Sequence, residues 1–273
     1  MGAGTLDWPV CLVDAHVHLH PEFDTASFLE HATRNFVGAA RDVRAPLHAG
    51  VLLLAESPGE AAFERIGAIA MAGPRWTIRR TAEPGSIVIS GGAAAPLIVI
   101  AGRQLVTAEG VEVLALMTDQ DLPHGASLTR TLDLVRQCGA IPVLPWGFGK
   151  WAFRRGRLVA QILRSEGDVL VGDNAGRWRL GRSPRLFAVA RDRSVRVLPG
   201  TDPLPFRSQE AGAGSYGFVV PQPIDFDHPA RDLRDWLRLH RGQPRAYGTL
   251  ASTGVFVWNQ LRMQWRKRVR RSR

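Results

Sequence analysis

The apolar positions of this chain repeat with two periods. Over residues 10–19 the alternation is of period two, ending in Leu12-Val13-Asp14-Ala15-His16-Val17-His18-Leu19 and then His20. On a strand this places Val13, Ala15, Val17 and Leu19 on one face, and Asp14, His16, His18 and His20 on the other. Helical spacing follows over 26–37, with Asp24 or Thr25 as the N-cap. A second strand is expected over 47–56 and a second helix over 58–71. Residues 76–117 differ: β-branched runs separated by Gly pairs and Glu-Gly or Pro-Gly steps predict a meander or hairpin. It ends in the apolar run 111–116.

Alternation of the two periods then resumes. Helices are predicted over 127–137 (stopped at Gly139), 158–165, 185–191, 232–240 and 255–268, and strands over 141–144, 169–171, 195–198 and 217–220. No repeat or low-complexity linker interrupts the order. The expectation is an α/β fold, a distorted TIM-like (β/α)7 barrel with an inserted hairpin region, spanning 1–250 and followed by an amphipathic helix and basic tail over 251–273.

Composition narrows the class. With 273 residues, 45% of them apolar, the chain can bury a large core without disulfides. Cys11 and Cys138 form no C-x-x-C pair and read as reduced thiols of a cytoplasmic protein. Residues 1–10 lack the pattern of a signal peptide. The longest uncharged stretch, 86–102, is broken by Gly91, Gly92 and Pro96, so two strands joined by a turn are expected there, and no transmembrane segment. The net charge of +10 is concentrated: 262–273 carries seven basic residues and no acid. That segment reads as a solvated end or as a contact for an anionic surface; no specific nucleic-acid motif is present.

Candidate chemistry centres on the H-x-H pair. Residues two apart on a strand share a face, so His16 and His18 can reach one metal ion, with His20 continuing that face. Glu112 stands alone in an apolar strand, where a carboxylate needs a partner, a metal or an exposed edge. Asp202, between Thr201 and Pro203 after a strand, suits a metal ligand or proton acceptor, or a simple Asp-Pro turn. Lys150, one of two lysines, lies in a Gly- and aromatic-rich loop after another strand, with Arg154, Arg155 and Arg157 behind it, and suits an anionic group. Asp173 and Asn174 follow a further strand as substrate contacts or turn formers.

This ordered set resembles the polymerase-and-histidinol-phosphatase (PHP) family of metal-dependent phosphoesterases over nearly the whole chain. His16 and His18 match the family's first H-x-H, Gly110-Val111-Glu112 its G-x-E strand, and Gly200-Thr201-Asp202 its late G-S-D. The resemblance implies a distorted barrel binding up to three ions of Zn, Mn or Fe. Its T-D-H stands here as Ala55-Glu56-Ser57, its H-P as Pro145-Trp146, and its D-x-H as Asp202-Pro203-Leu204. One or two ions on His16, His18, Glu112 and Asp202, with Glu56 as a substitute ligand, are therefore expected rather than three. The implied activity is phosphoester hydrolysis by metal-activated water, with Asp202 and Lys150 catalytic and a small anionic, phosphorylated substrate. The early D-A-H-x-H and late G-T-D are also similar to the amidohydrolase superfamily, which implies an amidase or lactonase. The missing family histidines fit a third reading, a barrel that has lost catalysis and acts as a binding protein.

Overall fold

The computed structural model describes residues 9–69, 76–91 and 95–271. Among the described residues, twelve strands build two mixed sheets. The first, of seven strands, holds β1 (Cys11–Val17), β2 (Ala49–Leu54), β3 (Thr77–Arg80), β4 (Ser86–Ser90), β5 (Leu97–Ile100), β11 (Tyr216–Val220) and β12 (Arg245–Gly248) in the order β12-β11-β1-β2-β5-β4-β3. The second holds β6 (Gly102–Val106), β7 (Glu112–Leu116), β8 (Ile141–Pro145), β9 (Leu170–Asn174) and β10 (Val197–Gly200) in the order β10-β9-β8-β7-β6. The helices are α1 (Thr25–Val43), α2 (Ala62–Ala68), α3 (Leu128–Gln137), α4 (Phe153–Ser165), α5 (Arg185–Asp192), α6 (Pro229–Leu239) and α7 (Thr253–Arg271).

This architecture corrects the barrel expectation: the ladders form two separate sheets and no closed barrel. The cause lies in 76–117, which is more than an inserted hairpin. Its strands β4 and β5 extend the first sheet beside β2, and the chain then crosses at Ala101 into β6 and β7 of the second. Strand β7 runs antiparallel to both β6 and β8, and β11 antiparallel to β1. A (β/α) barrel needs every neighbour parallel. Strand β12, short and largely exposed apart from Tyr247, gave no sequence signal.

The layers follow from the side-chain pattern. One core lies between the sheets, with Val13, Val51, Leu53, Leu114, Val143 and Phe218 from both inner faces and Leu233 and Trp236 from α6. Leu12, Leu52 and Val99 cover the outer face of the first sheet with Phe28, Leu29 and Phe36 of α1. Val113, Leu144 and Val171 do the same for the second sheet with side chains of α3, α4 and α5. Full burial of Phe28, Phe36 and Phe218 each stabilises by about 1.5–3 kcal/mol. Capping fits the sequence: Asp24 accepts from Ser27 N at 2.8 Å to start α1, and Gly139, at φ 76°, follows α3. Helix α2 is shorter than expected at both ends, and residues 70 and 71 of that expectation lie outside the described residues.

The sheets approach closely along two seams, and glycine makes each possible. A Cβ at Gly200 would lie 2.5 Å from His16 N and 2.8 Å from His16 Cβ, so β10 can lean on β1 only without a side chain. A Cβ at Gly102 would lie 2.3 Å from Leu54 O. There Glu56 N donates to Gly102 O at 3.0 Å and Gln104 N to Glu56 O at 2.8 Å.

Candidate metal centre

Strand β1 carries an irregularity in its pairing with β2 between Asp14 and Val17. It alters the expected alternation. Val13 and Ala15 join the core between the sheets, whereas Val17 and Leu19 turn to the outer cluster under α1. A single uninterrupted face from Val13 to Leu19 is therefore not formed. The buried Asp14 pins the irregular segment by accepting from Thr201 Oγ1 (2.6 Å), Thr201 N (2.8 Å), Gly214 N (2.8 Å) and, more weakly, His16 N (3.3 Å). Burial pushes the Asp14 carboxyl up to about 7 against these donors. Asp202 N donates to His16 O at 2.7 Å, which ties the segment after β10 to the end of β1.

His16, His18 and Asp202 converge here, and they form a group that could hold a metal ion. His16 Nε2 and His18 Nε2 are 3.1 Å apart, and Asp202 Oδ1 lies 3.6 Å from the first and 3.7 Å from the second. Ligands of a tetrahedral ion with bonds of about 2.1 Å stand about 3.4 Å from one another. The donor chemistry fits as well. Burial drives His16 down to about 4, so its ring is neutral at pH 7 and has a lone pair to offer. Burial alone would raise Asp202, but His16, Lys150 and His18 outweigh it and hold the carboxyl below its ordinary range. The two histidine side chains are at most 5% exposed, and the 15% exposure of Asp202 marks the open side.

Supporting groups surround these three residues. Asn174 Nδ2 donates to Asp202 Oδ2 at 3.2 Å and to Trp146 O at 2.9 Å, leaving Oδ1 to face the histidines. Glu60 stands 3.9 Å from His18 Nδ1 and 3.5 Å from His20 Nδ1. Burial would raise Glu60, yet the nearby His18 and His20 rings and the hydrogen bond from Ser57 N hold it far below the usual carboxylate range. A carboxylate beside the remote nitrogen of a ligating histidine orients the ring. Asp202 takes positive φ, 47°, which turns the chain there. Arg65 fixes the segment after the H-x-H pair by donating to Leu19 O (3.3 Å), His20 O (3.2 Å) and Phe23 O (3.0 Å).

The other predicted site residues are placed differently. Glu112 opens β7 and is held by Lys150, whose Nζ lies 2.5 Å from Glu112 Oε2; it is not among the converging ligand atoms. Burial would lower Lys150, but Asp202 and Glu112 keep its ammonium above the usual lysine value. Glu56 is buried, accepts from Phe63 N at 2.6 Å and pairs with Arg103, so it is spent on the seam between the sheets. His20 packs on His18 and contacts Pro203 O at 2.8 Å. Asp173 is engaged by Arg177 through two bonds of 2.7 Å and by Tyr216 Oη at 2.9 Å. Sequence reasoning missed Glu60, Arg65 and Asp14 as supporting residues. Asp14 alone carried a signal, as a carboxylate inside a fully buried strand. A surface depression of about 790 Å³ along α4 and the start of α5 shares no residue with this group.

No family model matches the chain, and no curated protein matches it. Among solved structures it is similar to one titled "Crystal Structure of PsfC from Pseudomonas syringae PB-5123", with 15% identity over 95% of this chain and 99% of that one and a TM-score of 0.48. A likeness of that degree bears on neither family nor function.

Proposed function

We propose that this protein is a metal-dependent hydrolase of the PHP-like kind, acting on a phosphate ester and using one divalent ion held by His16, His18 and Asp202. The observation that carries the reading is the convergence of those three ligand atoms within 3.1–3.7 Å. Zn, Mn or Fe suits this nitrogen-and-carboxylate donor set. Such an ion supplies Lewis acidity and lowers the pKa of water bound to it toward about 7. One ion is favoured over two because Lys150 engages Glu112, the carboxylate that would otherwise bridge a pair.

The chain's own residues supply the rest. Lys150, with a side chain 41% exposed, stands at the open side as a fixed positive charge for an anionic group of the substrate. Asn174 keeps one oxygen of Asp202 turned to the histidines, and Glu60 places a negative charge beside His18 and His20. Asp202, ionised and partly exposed, would hold the ion through Oδ1 and take the proton of the attacking water, which passes to the alcohol oxygen that leaves as the P–O bond breaks. The reduced thiols, Cys11 buried and Cys138 half-buried, agree with a cytoplasmic setting.

The test has two parts. Metal analysis of purified protein beside a His16→Ala/His18→Ala variant is expected to find one ion per chain in the first and none in the second. Equal, negligible metal in both overturns the site. A panel of phosphoesters, amides and lactones with Mn or Zn is expected to show turnover of phosphoesters. Turnover of carbonyl compounds alone moves the protein to the amidohydrolase chemistry, and turnover of nothing makes it a binding protein.

A further inference from the structure

Helix α7 is held to the body by one face. Trp178 Nε1 donates to Thr253 Oγ1 at 2.9 Å, and Phe256 stacks on Trp178 at 6.2 Å and meets Phe148 edge-on at 5.3 Å. Asn259 is buried. Arg262 lies over the Phe206 ring at 4.0 Å and donates to Ser208 Oγ at 2.8 Å, and Arg266 donates to Pro205 O at 2.6 Å and to Glu22 at 3.1 Å. Apart from Glu22, which follows β1, these contacts run to the loops after β8, β9 and β10; Lys150 and Asp202 lie in two of those loops, and Asn174 closes β9.

The opposite face is apolar and uncovered. Val257, Trp258, Leu261 and Trp265, spaced as one helical stripe, are 48–69% exposed. Among the described residues, five of the eleven exposed large hydrophobic side chains belong to α7, and Phe148, also exposed, packs beside it. Two tryptophans and two aliphatic side chains facing water are costly for a monomer unless something covers them. The charge says what does. No acidic residue follows Asp235, and 262–273 carries seven basic residues. A second copy of α7 would bring the same sign of charge and no acid to offset it. A nucleic acid would use the tryptophans for stacking but not the aliphatic stripe through Val257 and Leu261. A bilayer with anionic headgroups matches both halves: aromatic and aliphatic groups enter the headgroup–acyl boundary while basic residues meet lipid phosphates. No helix among the described residues is long and apolar enough to cross a membrane, so this helix would lie on the surface.

We propose that α7 is an interfacial helix that docks the protein on an anionic bilayer through Val257, Trp258, Leu261 and Trp265 and the basic charge of 267–273. This does not depend on the metal centre. The test is co-sedimentation of the full chain with vesicles of phosphatidylcholine alone or with about 30 mol% phosphatidylserine. The full chain is expected to pellet with the anionic vesicles, to remain in solution with the neutral ones, and to be released as salt rises. Trp258→Ser/Leu261→Ser/Trp265→Ser is expected to weaken binding at least about tenfold, with circular dichroism and metal content unchanged. Arg270→Gln/Arg271→Gln is expected to weaken it less and to flatten the salt dependence. The proposal is overturned if the wild type ignores anionic vesicles or if the triple variant binds as well as the wild type. It is also overturned if the triple substitution dissolves a dimer in sedimentation velocity or abolishes single-stranded RNA binding without affecting vesicles.

Discussion

Lys150 Nζ stands 2.5 Å from Glu112 Oε2, and the same ammonium is held protonated by the field of Asp202. The pair places one fixed positive charge beside a three-ligand metal group. Gly147 makes room for it, since a Cβ there would lie 2.5 Å from Lys150 Cδ. On the proposed reading, a metal ion and Lys150 would share the neutralisation of an anionic substrate.

Lys150→Met is therefore expected to weaken binding of inorganic phosphate and to raise KM for a phosphoester about ten- to a hundredfold, the range of a lost charge-assisted hydrogen bond. Metal content stays at one ion per chain. Calorimetric titration with phosphate, beside metal analysis, checks this; a variant that binds phosphate like the wild type would separate Lys150 from the site.

Asn174→Ala removes the amide that holds Asp202 Oδ2. Metal affinity is expected to fall about ten- to a hundredfold, as is usual for groups that orient ligands. Competition with a chromophoric chelator gives the number. The melting temperature of the metal-free protein measures the cost to the fold of losing the bonds to Trp146 O and Asp202 Oδ2.

The buried His16 sets a pH dependence. Its folded value of about 4 lies below the ordinary 6.5. The unfolded chain therefore binds a proton that the folded chain refuses, and this contribution to stability is present above pH 6.5 and lost as pH falls toward 4. Asp14, raised toward 7, acts in the opposite sense over an overlapping range. The difference between wild type and His16→Asn isolates the histidine. In urea unfolding with chelator present, stability minus that of the variant should fall by up to roughly 1.4 kcal/mol per pH unit through this window. A constant difference would mean that His16 is solvated.

Gly200→Ala tests the seam beneath the site. The added Cβ meets the His16 backbone, which has no freedom to move away, so a loss of about 1–3 kcal/mol or more is expected. Metal binding should fall with it because His16 is displaced. Gly212→Ala, where a Cβ meets nothing within 4 Å, should stay within about 0.5 kcal/mol of wild type in the same denaturation series.

Much of the local structure was legible beforehand. Period-two and helical spacings located β1, β2, α3, α7 and the start of α1 to within a few residues, because the burial of one face leaves its mark on neighbouring positions; α1 runs six residues past its expected end. The H-x-H pair was legible for the same reason, two histidines on an otherwise apolar strand. Asp202 stood out through its place after a strand.

What the periods cannot carry is which elements meet. The antiparallel setting of β7 and β11, and with it the two sheets instead of a barrel, depends on pairings between distant strands that leave no local pattern. The same holds for the choice of ligand. Glu112 and Asp202 both read as lone carboxylates at strand ends, and only the leaning of β10 on β1 at Gly200 brings Asp202 to the histidines while Lys150 takes Glu112. Helix α7 repeats the lesson: its sequence announced an amphipathic segment, and the packing of Phe256 and Asn259 decided that Trp258, Leu261 and Trp265 face outward.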